Sequence, residues 1–218
     1  MVCVKLAKCR LNQSVIQSFS YSVIIFYLRL MSSFKLYMLL LGCKPDGRNT
    51  EQHDMFFTIS DSLKNTIPAI KDFWPEAKDK IHIDAWREVK IVDGFSIEVV
   101  DKEEGNPASQ SSNKLFFVNL GGYKQNEFEE FHYKMLAVGD DKGVAIKQAK
   151  ETVFYKHCGF DGANSHIDDK YGVDVDDLYE ITDILPAEIK DKFALVIKET
   201  SSTEKDAINL GYFKLSNL

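Results

Sequence analysis

An internal repeat is the feature that most constrains what this chain can fold into. A shift of 79 residues lays residues 35–61 over residues 114–140 without a gap. Seven of these 27 positions are identical, whereas ordinary amino-acid composition gives about two by chance. The identical pairs are Lys35/Lys114, Leu36/Leu115, Leu41/Leu120, Gly42/Gly121, Glu51/Glu130, His53/His132 and Asp61/Asp140. The chain is therefore predicted to contain two copies of one structural unit.

A second block of similarity appears at a shift of 84 residues, which places His82-Ile83-Asp84 on His166-Ile167-Asp168. Together the two blocks predict how the chain is divided. The predicted segments are a basic leader (1–34), repeat copy 1 (35–101), a polar linker (102–113), repeat copy 2 (114–200) and a loop with a closing strand (201–218).

Each copy is predicted to contain two strands, a helix and two further strands. The apolar run 36–41 fits a buried strand, and residues 51–59 alternate as a second strand does. Asp61 is a predicted helix N-cap, Pro68 is expected to bend or restart that helix, and Asp93-Gly94 predicts a tight hairpin. The predicted fold class is α+β, with two tandem ββαββ repeats of mainly antiparallel sheets in a pseudo-twofold arrangement, an internal pseudo-dimer compatible with a monomer.

The charge of the chain is unevenly distributed. The leader carries four basic side chains and no acid, so the −6 of the whole chain is a −10 body, with 23 basic against 33 acidic residues, behind a +4 leader. An acidic body argues against a nucleic-acid partner, because such affinity comes from clustered Lys and Arg. The apolar run 23–28 is shorter than the roughly 20 residues that span a bilayer, so no membrane contact is expected for the body. The leader is either dispensable or mis-assigned sequence, or a targeting or terminal helix.

The four cysteines indicate a reduced protein. Cys3, Cys9, Cys43 and Cys158 form no CxxC pair and no zinc-binding spacing. Leu40-Leu41-Gly42-Cys43 resembles a lipoprotein cleavage box, but the repeat makes this stretch a core strand, with Cys43 as a small packing residue. A cytoplasmic location is the simplest expectation.

Histidines and carboxylates mark the candidate site. Four of the five histidines fall in the predicted pairs His53/His132 and His82/His166, and each has a carboxylate two residues away. Residues i and i+2 of a strand share a face, so each couple presents an imidazole and a carboxylate together. The candidate binding residues are Glu51, His53, Asp54, His82, Asp84, Trp86, Glu130, His132, His166 and Asp168. Asp174-Val175-Asp176-Asp177 is expected to be a solvated strand edge.

Three interpretations of these residues remain open. In the first, favoured by how often polar side chains satisfy one another, carboxylates orient the imidazoles in a structural hydrogen-bonded network. In the second, the residues bind a small molecule or peptide. In the third, the imidazoles and carboxylates bind zinc, manganese or iron and support metal-assisted hydrolysis.

The stretch Arg48-Asn49-Thr50-Glu51-Gln52-His53-Asp54, followed by His82-Ile83-Asp84-Ala85-Trp86-Arg87-Glu88-Val89, resembles a bacterial family of uncharacterised proteins. That domain of unknown function occurs in one or two copies, with motifs E-x-H-D and H-I-D-x-W-R-E-V. The likeness covers residues 35–200, and copy 2 departs from it, with Tyr133 where copy 1 has Asp54 and Lys170 where it has Trp86. The resemblance implies an architecture and a region of interest, with no activity attached.

We therefore expect a cytoplasmic binding or accessory module with a polar His/carboxylate site, and a partner that is an unidentified small molecule or protein. A metal-dependent hydrolase using the same residues is the alternative. No cofactor is expected, and the sequence leaves open whether the protein is an enzyme and whether the site holds a metal.

Overall fold

A computed structural model describes residues 34–103, 112–124, 126–151 and 173–218. Within these ranges ten strands form three sheets, and every strand pairing is antiparallel. The first sheet has the order β10-β3-β1-β2, the second β7-β6-β8, and a small third sheet β4-β5-β9. The strands are β1 (Lys35–Cys43), β2 (Gln52–Ser60), β3 (His82–Val89), β4 (Ile91–Val92), β5 (Phe95–Asp101), β6 (Lys114–Tyr123), β7 (Glu130–Gly139), β8 (Val173–Glu180), β9 (Phe193–Glu199) and β10 (Asn209–Lys214).

Four α-helices and three 3₁₀ turns connect these strands within the described ranges. The helices are α1 (Ile67–Phe73), α2 (Lys142–Lys150), α3 (Ile181–Ile184) and α4 (Ala187–Lys192), and the 3₁₀ turns are Lys64–Thr66, Pro75–Lys80 and Leu215–Asn217. The architecture is thus mixed α+β with antiparallel sheets, as predicted. No helix in these ranges has both the length and the apolar character needed to cross a membrane.

The apolar runs predicted as buried strands form the centres of the two main sheets. β1 pairs with β2 on one side and β3 on the other, and β6 pairs with β7 and β8 in the same way. A central strand covered on both faces needs apolar side chains at every position, which is why these two segments are continuous rather than alternating. Cys43, at the end of β1, is fully buried, as expected of a packing residue.

The core is built in layers. Alternate residues of β1 and β6 face each other across the gap between the sheets, and the rings of Phe57 and Phe117 lie 5.4 Å apart there. The opposite face of the first sheet packs beneath α1, and that of the second packs beneath α2. The third sheet contributes Ile97 and Ile197 to the layer between the main sheets.

The local signals predicted from sequence have mixed outcomes. Asp93 and Gly94 both take positive φ, 51° and 82°, and join β4 to β5 as the hairpin signal predicts. Pro68 lies in the first turn of α1 after a 3₁₀ turn, so the helix restarts there. Asp61 does not cap a backbone amide; its carboxylate accepts from the Asn65 side chain at 2.7 Å. In the second sheet's helix Asp141 does cap, accepting from the amide of Val144 at 3.0 Å.

A β-bulge occurs at the same place in both main sheets. In the first sheet the register shifts between Leu40 and Leu41, opposite Asp84. In the second it shifts between Asn119 and Leu120, opposite Asp176. The extra residue of a bulge changes which face the following side chains occupy.

The strand register corrects the second block of the sequence alignment. His82 lies opposite Gly42, whereas the residue opposite the equivalent Gly121 is Asp174. Measured from these opposite positions, β3 and β8 are separated by 92 residues, rather than by the 84 of the predicted match of His82 with His166. His166 and Asp168 lie outside the described residues, as do residues 1–33 and most of the predicted linker.

The predicted closing strand is β10, and it pairs with β3. It therefore extends the first sheet, while the described second sheet has three strands.

One ion pair recurs at equivalent positions of the two sheets. Lys35 Nζ lies 2.7 Å from Glu88 Oε1, and Lys114 Nζ lies 2.7 Å from Glu180 Oε2. Burial alone raises the pKa of Glu88, but hydrogen bonds from Lys35 and Lys90 outweigh it and hold that pKa below its usual value. The pair therefore stabilises the fold when Glu88 is ionised.

We expect Glu88→Gln to lower the free energy of unfolding at pH 7 by about 0.5–1 kcal/mol, the upper part of the range for exposed ion pairs, because this pair is partly buried. A lowered carboxyl pKa contributes stability above the unfolded-state value, about 4.3 for Glu, and loses it as the pH falls through the lowered folded-state pKa, so the difference should be gone by about pH 2. Urea denaturation at both pH values measures this. Glu98→Gln is the matched control, because the Glu98–Lys198 pair is half exposed on both sides. An equal loss in both variants would contradict the prediction.

Candidate functional site

Two imidazoles and two carboxylates meet above Gly42 at one end of the first sheet. His53 comes from β2, His82 and Asp84 from β3, and Glu51 from the residue preceding β2. Gly42 lies opposite His53 on one side and His82 on the other. We call these four side chains the first cluster; both couples predicted for copy 1 therefore come together.

The first cluster is a ring in which imidazoles and carboxylates alternate. His82 Nε2 lies 3.0 Å from Glu51 Oε1 and 3.3 Å from Asp84 Oδ1. His53 Nε2 lies 3.0 Å from Asp84 Oδ2 and 3.8 Å from Glu51 Oε2. Each carboxylate thus presents one oxygen to each imidazole.

His82 is the buried member, with 3% of its side chain exposed. Its Nδ1 lies 3.2 Å from the carbonyl oxygen of Lys80, and a carbonyl can only accept, so Nδ1 carries the ring proton. In the neutral ring, Nε2 then presents a lone pair to two carboxylate oxygens. Nε2 makes no hydrogen bond with either oxygen. Asp84 Oδ2 also accepts no hydrogen bond. Such a contact is repulsive unless the ring takes up a second proton or a cation lies between the groups.

Two neighbours shape this environment. The ring of Tyr212, on β10, stacks on the His82 imidazole with centroids 4.1 Å apart. On the other side, a side chain at Gly42 would have no room, since its Cβ would lie 2.4 Å from Asp84 Oδ2 and 2.5 Å from His82 Nε2. The glycine is therefore required for close approach of the cluster to the sheet. Glu51 and His53 are 43% and 41% exposed and open the cluster to solvent.

A similar group, the second cluster, lies above Gly121 in the second sheet. One donor atom each of Glu130, His132 and Asp176 lies within 4.8 Å of the others, and His132 Nε2 is 3.2 Å from Asp176 Oδ2. A Cβ at Gly121 would lie 2.3 Å from Asp176 Oδ2. The arrangement matches Glu51, His53 and Asp84 in the first sheet, but the register puts Asp174 where the first sheet has His82.

Two of the predicted residues lie apart from the clusters. Trp86 packs with Tyr37 on the helix-covered face, 6.3 Å between ring centroids. Asp54 lines a cleft of about 520 Å³ between the main sheets, together with His53, His132 and Asp177. Burial raises the pKa of Asp54, and the nearby charge of Asp177 adds to this increase, while a hydrogen bond from the Met55 amide opposes it.

Cys43 is buried beside this region and packs in the core. Its thiol donates weakly to the Ala77 carbonyl at 3.7 Å, and burial raises its pKa. The thiol form is therefore favoured over the reactive thiolate.

Sequence reasoning missed Asp176 and Tyr212. The sequence predicts Asp176 as part of a solvated strand edge, whereas the register places Val175-Asp176 in β8 where Ile83-Asp84 lie in β3. The signal that could have found it is Glu180, which repeats Glu88 at the same separation of 92 residues. Nothing in the sequence indicated that Tyr212 reaches His82, because the pairing of β10 with β3 is non-local.

The chain was compared with protein-family models, curated proteins and solved structures. The model of the family described as Domain of Unknown Function (DUF1543) matches residues 48–99, a range that includes all four residues of the first cluster. No curated protein matches the chain. Among solved structures, the protein Il1583 from Idiomarina loihiensis is 19% identical, with a TM-score of 0.53, over 84% of this chain and 97% of that one.

These comparisons support a domain of unknown function, as the sequence resemblance predicts, and at 19% identity the solved structure supports the fold alone. The motifs and copy number attributed to the family stay predictions.

We expect Gly42→Ala to displace the Asp84 carboxylate and the His82 ring while the fold is kept, because the clashing atoms are side-chain ends. Imidazole ¹⁵N chemical shifts report this directly: those of His53 and His82 should move, and that of His132 should not. Gly121→Ala is the reciprocal control and should move His132 alone. Identical spectra for Gly42→Ala and the parent protein would show that the cluster does not need the glycine.

Proposed function

We propose that this protein binds a divalent first-row transition metal ion, such as Mn²⁺, Fe²⁺ or Zn²⁺, through Glu51, His53, His82 and Asp84. Imidazole with carboxylate is the donor set that these ions share. The observation that carries the proposal is the buried His82 Nε2, which lies 3.0 and 3.3 Å from two carboxylate oxygens without a hydrogen bond to either. A cation between these atoms turns the repulsive contact into a bound centre.

The geometry supports this assignment. Two donor atoms that share one ion about 2.1 Å away lie at most about 4.2 Å apart, and the contacts around the ring, 3.0, 3.0 and 3.3 Å for three of the four, meet this limit pair by pair. The fourth, from His53 to Glu51, is 3.8 Å, and both side chains are exposed enough to close on an ion. Donors that lie within 4.8 Å of one another as a complete set occur, among the described residues, in the second cluster, so the first cluster must contract to share one ion. The Lys80 carbonyl orients the His82 ring by its bond to Nδ1, as the outer partners of metal-binding histidines do.

We further infer that the two main sheets are duplicated copies of one unit in a pseudo-twofold arrangement. Supporting this are the central strand order, the bulge position, the glycine beneath each cluster and the recurring Lys–Glu pair. The second cluster then becomes a weaker site, with three donors in place of four and greater exposure.

The role proposed for the metal site is that of a cytoplasmic binding or accessory module, which places an ion beside a cleft open to a small molecule. The cleft lined by His53 is also compatible with the alternative function, a metal-dependent hydrolase, because a substrate in the cleft would lie beside the metal site. Turnover of p-nitrophenyl esters or phosphates by the metal-loaded protein, absent from a His53→Ala variant loaded identically, would favour the enzyme over the module.

We expect the purified full chain to bind one Mn²⁺ or Zn²⁺ tightly and a second weakly in isothermal titration. His53→Ala should weaken the tight site about 100-fold or more, since even outer-shell changes cost 10–100-fold. His53 is exposed, so this variant should fold normally, which circular dichroism verifies.

His132→Ala is the matched control for this experiment. It removes the equivalent imidazole of the second cluster and should abolish the weak site while the tight site persists. If the parent protein binds neither ion at tenfold molar excess, the first cluster is a structural hydrogen-bonded network and the metal proposal is overturned. Equal loss of the tight site in both variants would overturn the assignment to Glu51, His53, His82 and Asp84.

The stacking of Tyr212 generates a separate prediction. Tyr212→Ala should weaken the tight site about 10- to 100-fold, as loss of an outer partner does, because water then reaches His82. Tyr212→Phe keeps the ring and should bind like the parent. Leu210→Ala, an exposed position on the same strand, should also leave binding unchanged. Titration of the three variants separates the stacking contribution from any general effect on β10.

A further inference from the structure

A second internal space lies between the main sheets, on the far side of Met55 from the clusters. It has a volume of about 780 Å³, within the range of about 300–1,000 Å³ typical of small-molecule sites. Its walls are mostly apolar, with Met38, Leu40, Met55, Ile91 and Leu136 among them. None of the four residues of the first cluster lines it, so what it binds is independent of the metal proposal.

Two basic side chains line this cavity without a carboxylate partner. The Arg87 guanidinium donates through Nε to the weakly accepting Met38 sulfur at 3.3 Å, and Lys134 lies on the wall shared with the cleft of His53. Both are half buried, and burial lowers the pKa of each, while the charges of Asp206, Tyr133 and Asp93 oppose this decrease for Arg87. Within the described part of the chain no carboxylate oxygen comes within 4.0 Å of either cation.

The acidic residues of the cavity are already occupied. Asp206 accepts from the backbone amides of Lys90 and Ile91, at 3.0 and 3.3 Å. Asp93 accepts from the amide of Val138. Glu204 and Lys205, both exposed at the rim, offset each other in charge. The charges of Asp206 and Asp93 still act on Arg87 from a distance, and Arg87 and Lys134 are the cationic donors on the wall that make no ion pair among the described residues.

We infer that this cavity binds a small amphipathic anion, whose acidic head pairs with Arg87 and Lys134 and whose alkyl or aryl body packs on the apolar wall. A guanidinium presents paired donors that match a carboxylate or a phosphate. The methionines suit bodies of varied shape, because their side chains are flexible. Burying an anion against unpaired cations removes the cost of leaving them desolvated alone.

Isothermal titration of the full-length protein with 4-phenylbutyrate and decanoate tests this inference. Both should bind. The affinities for 4-phenylbutanol, decanol and acetate should be lower by about tenfold or more, because each of these compounds lacks either the charge or the apolar body. Arg87→Met and Lys134→Met should each weaken carboxylate binding about tenfold or more. Arg48→Met, an exposed arginine in the β1–β2 loop, is the matched control and should leave binding unchanged.

Arg87→Met removes the guanidinium and replaces the aliphatic part of the arginine with an apolar side chain. A parent-like circular dichroism spectrum and unfolding midpoint verify the fold of this variant. Should it fail to fold, the comparison of carboxylates with alcohols and the Lys134→Met variant still decide the matter. Equal affinity for acids and alcohols, failure of both carboxylates to bind, or parent-like affinity in both cation variants would overturn the inference.

Discussion

The β-bulge opposite Leu40 and Leu41 is the constraint on which the candidate site depends. One extra residue, Asp84, is accommodated in β3, so His82 and Asp84 stay on the face between the sheets while Trp86 turns to the helix-covered face. After the bulge, Arg87 and Val89 return to the gap between the sheets. Without it, the regular alternation of a strand would put Trp86 beside the imidazole and direct Arg87 away from the cavity. A single backbone irregularity therefore positions both the cluster and the cation of the neighbouring cavity.

The two clusters have the same backbone arrangement, but they differ in how well they exclude water. In the first, β10 adds to the edge of β3 and brings Tyr212 over His82. In the second, β8 is the edge strand of the described sheet, and its cluster has a single imidazole that is 35% exposed. Because charge interactions strengthen as water is excluded, the same donor types make a stronger centre in the first sheet. This asymmetry is the physical basis of the proposal that the first cluster binds a metal ion more tightly than the second.

Sequence patterns predicted what local chemistry determines and missed what depends on long-range pairing. The apolar runs identified the central strands, Asp93-Gly94 identified a hairpin, and the pairing of Glu51 with His53 and of Glu130 with His132 placed one half of each cluster. The other half required the register of β3 and β8. A strict period of two cannot reveal a bulge, so it groups Trp86 with His82 and gives no sign of Asp176. Tyr212 was out of reach for the same reason: its partner is 130 positions earlier in the chain, and no local pattern links them.

The position of both candidate sites follows from how the apolar character changes along the central strands. At one end, Leu36 and Met38 face Leu115 and Phe117 and seal the two sheets together. Further along, Leu40 lines the apolar cavity and Asn119 lines the cleft of His53. Near the far end, the strands have Gly42 and Gly121 beneath the clusters. The packed half supplies the burial that holds the sheets in place, so the other half can carry polar side chains that would be costly in a continuous core. Stability and binding are thus assigned to opposite ends of the same pair of strands, which is why substitutions at the glycines should alter the clusters while the fold persists.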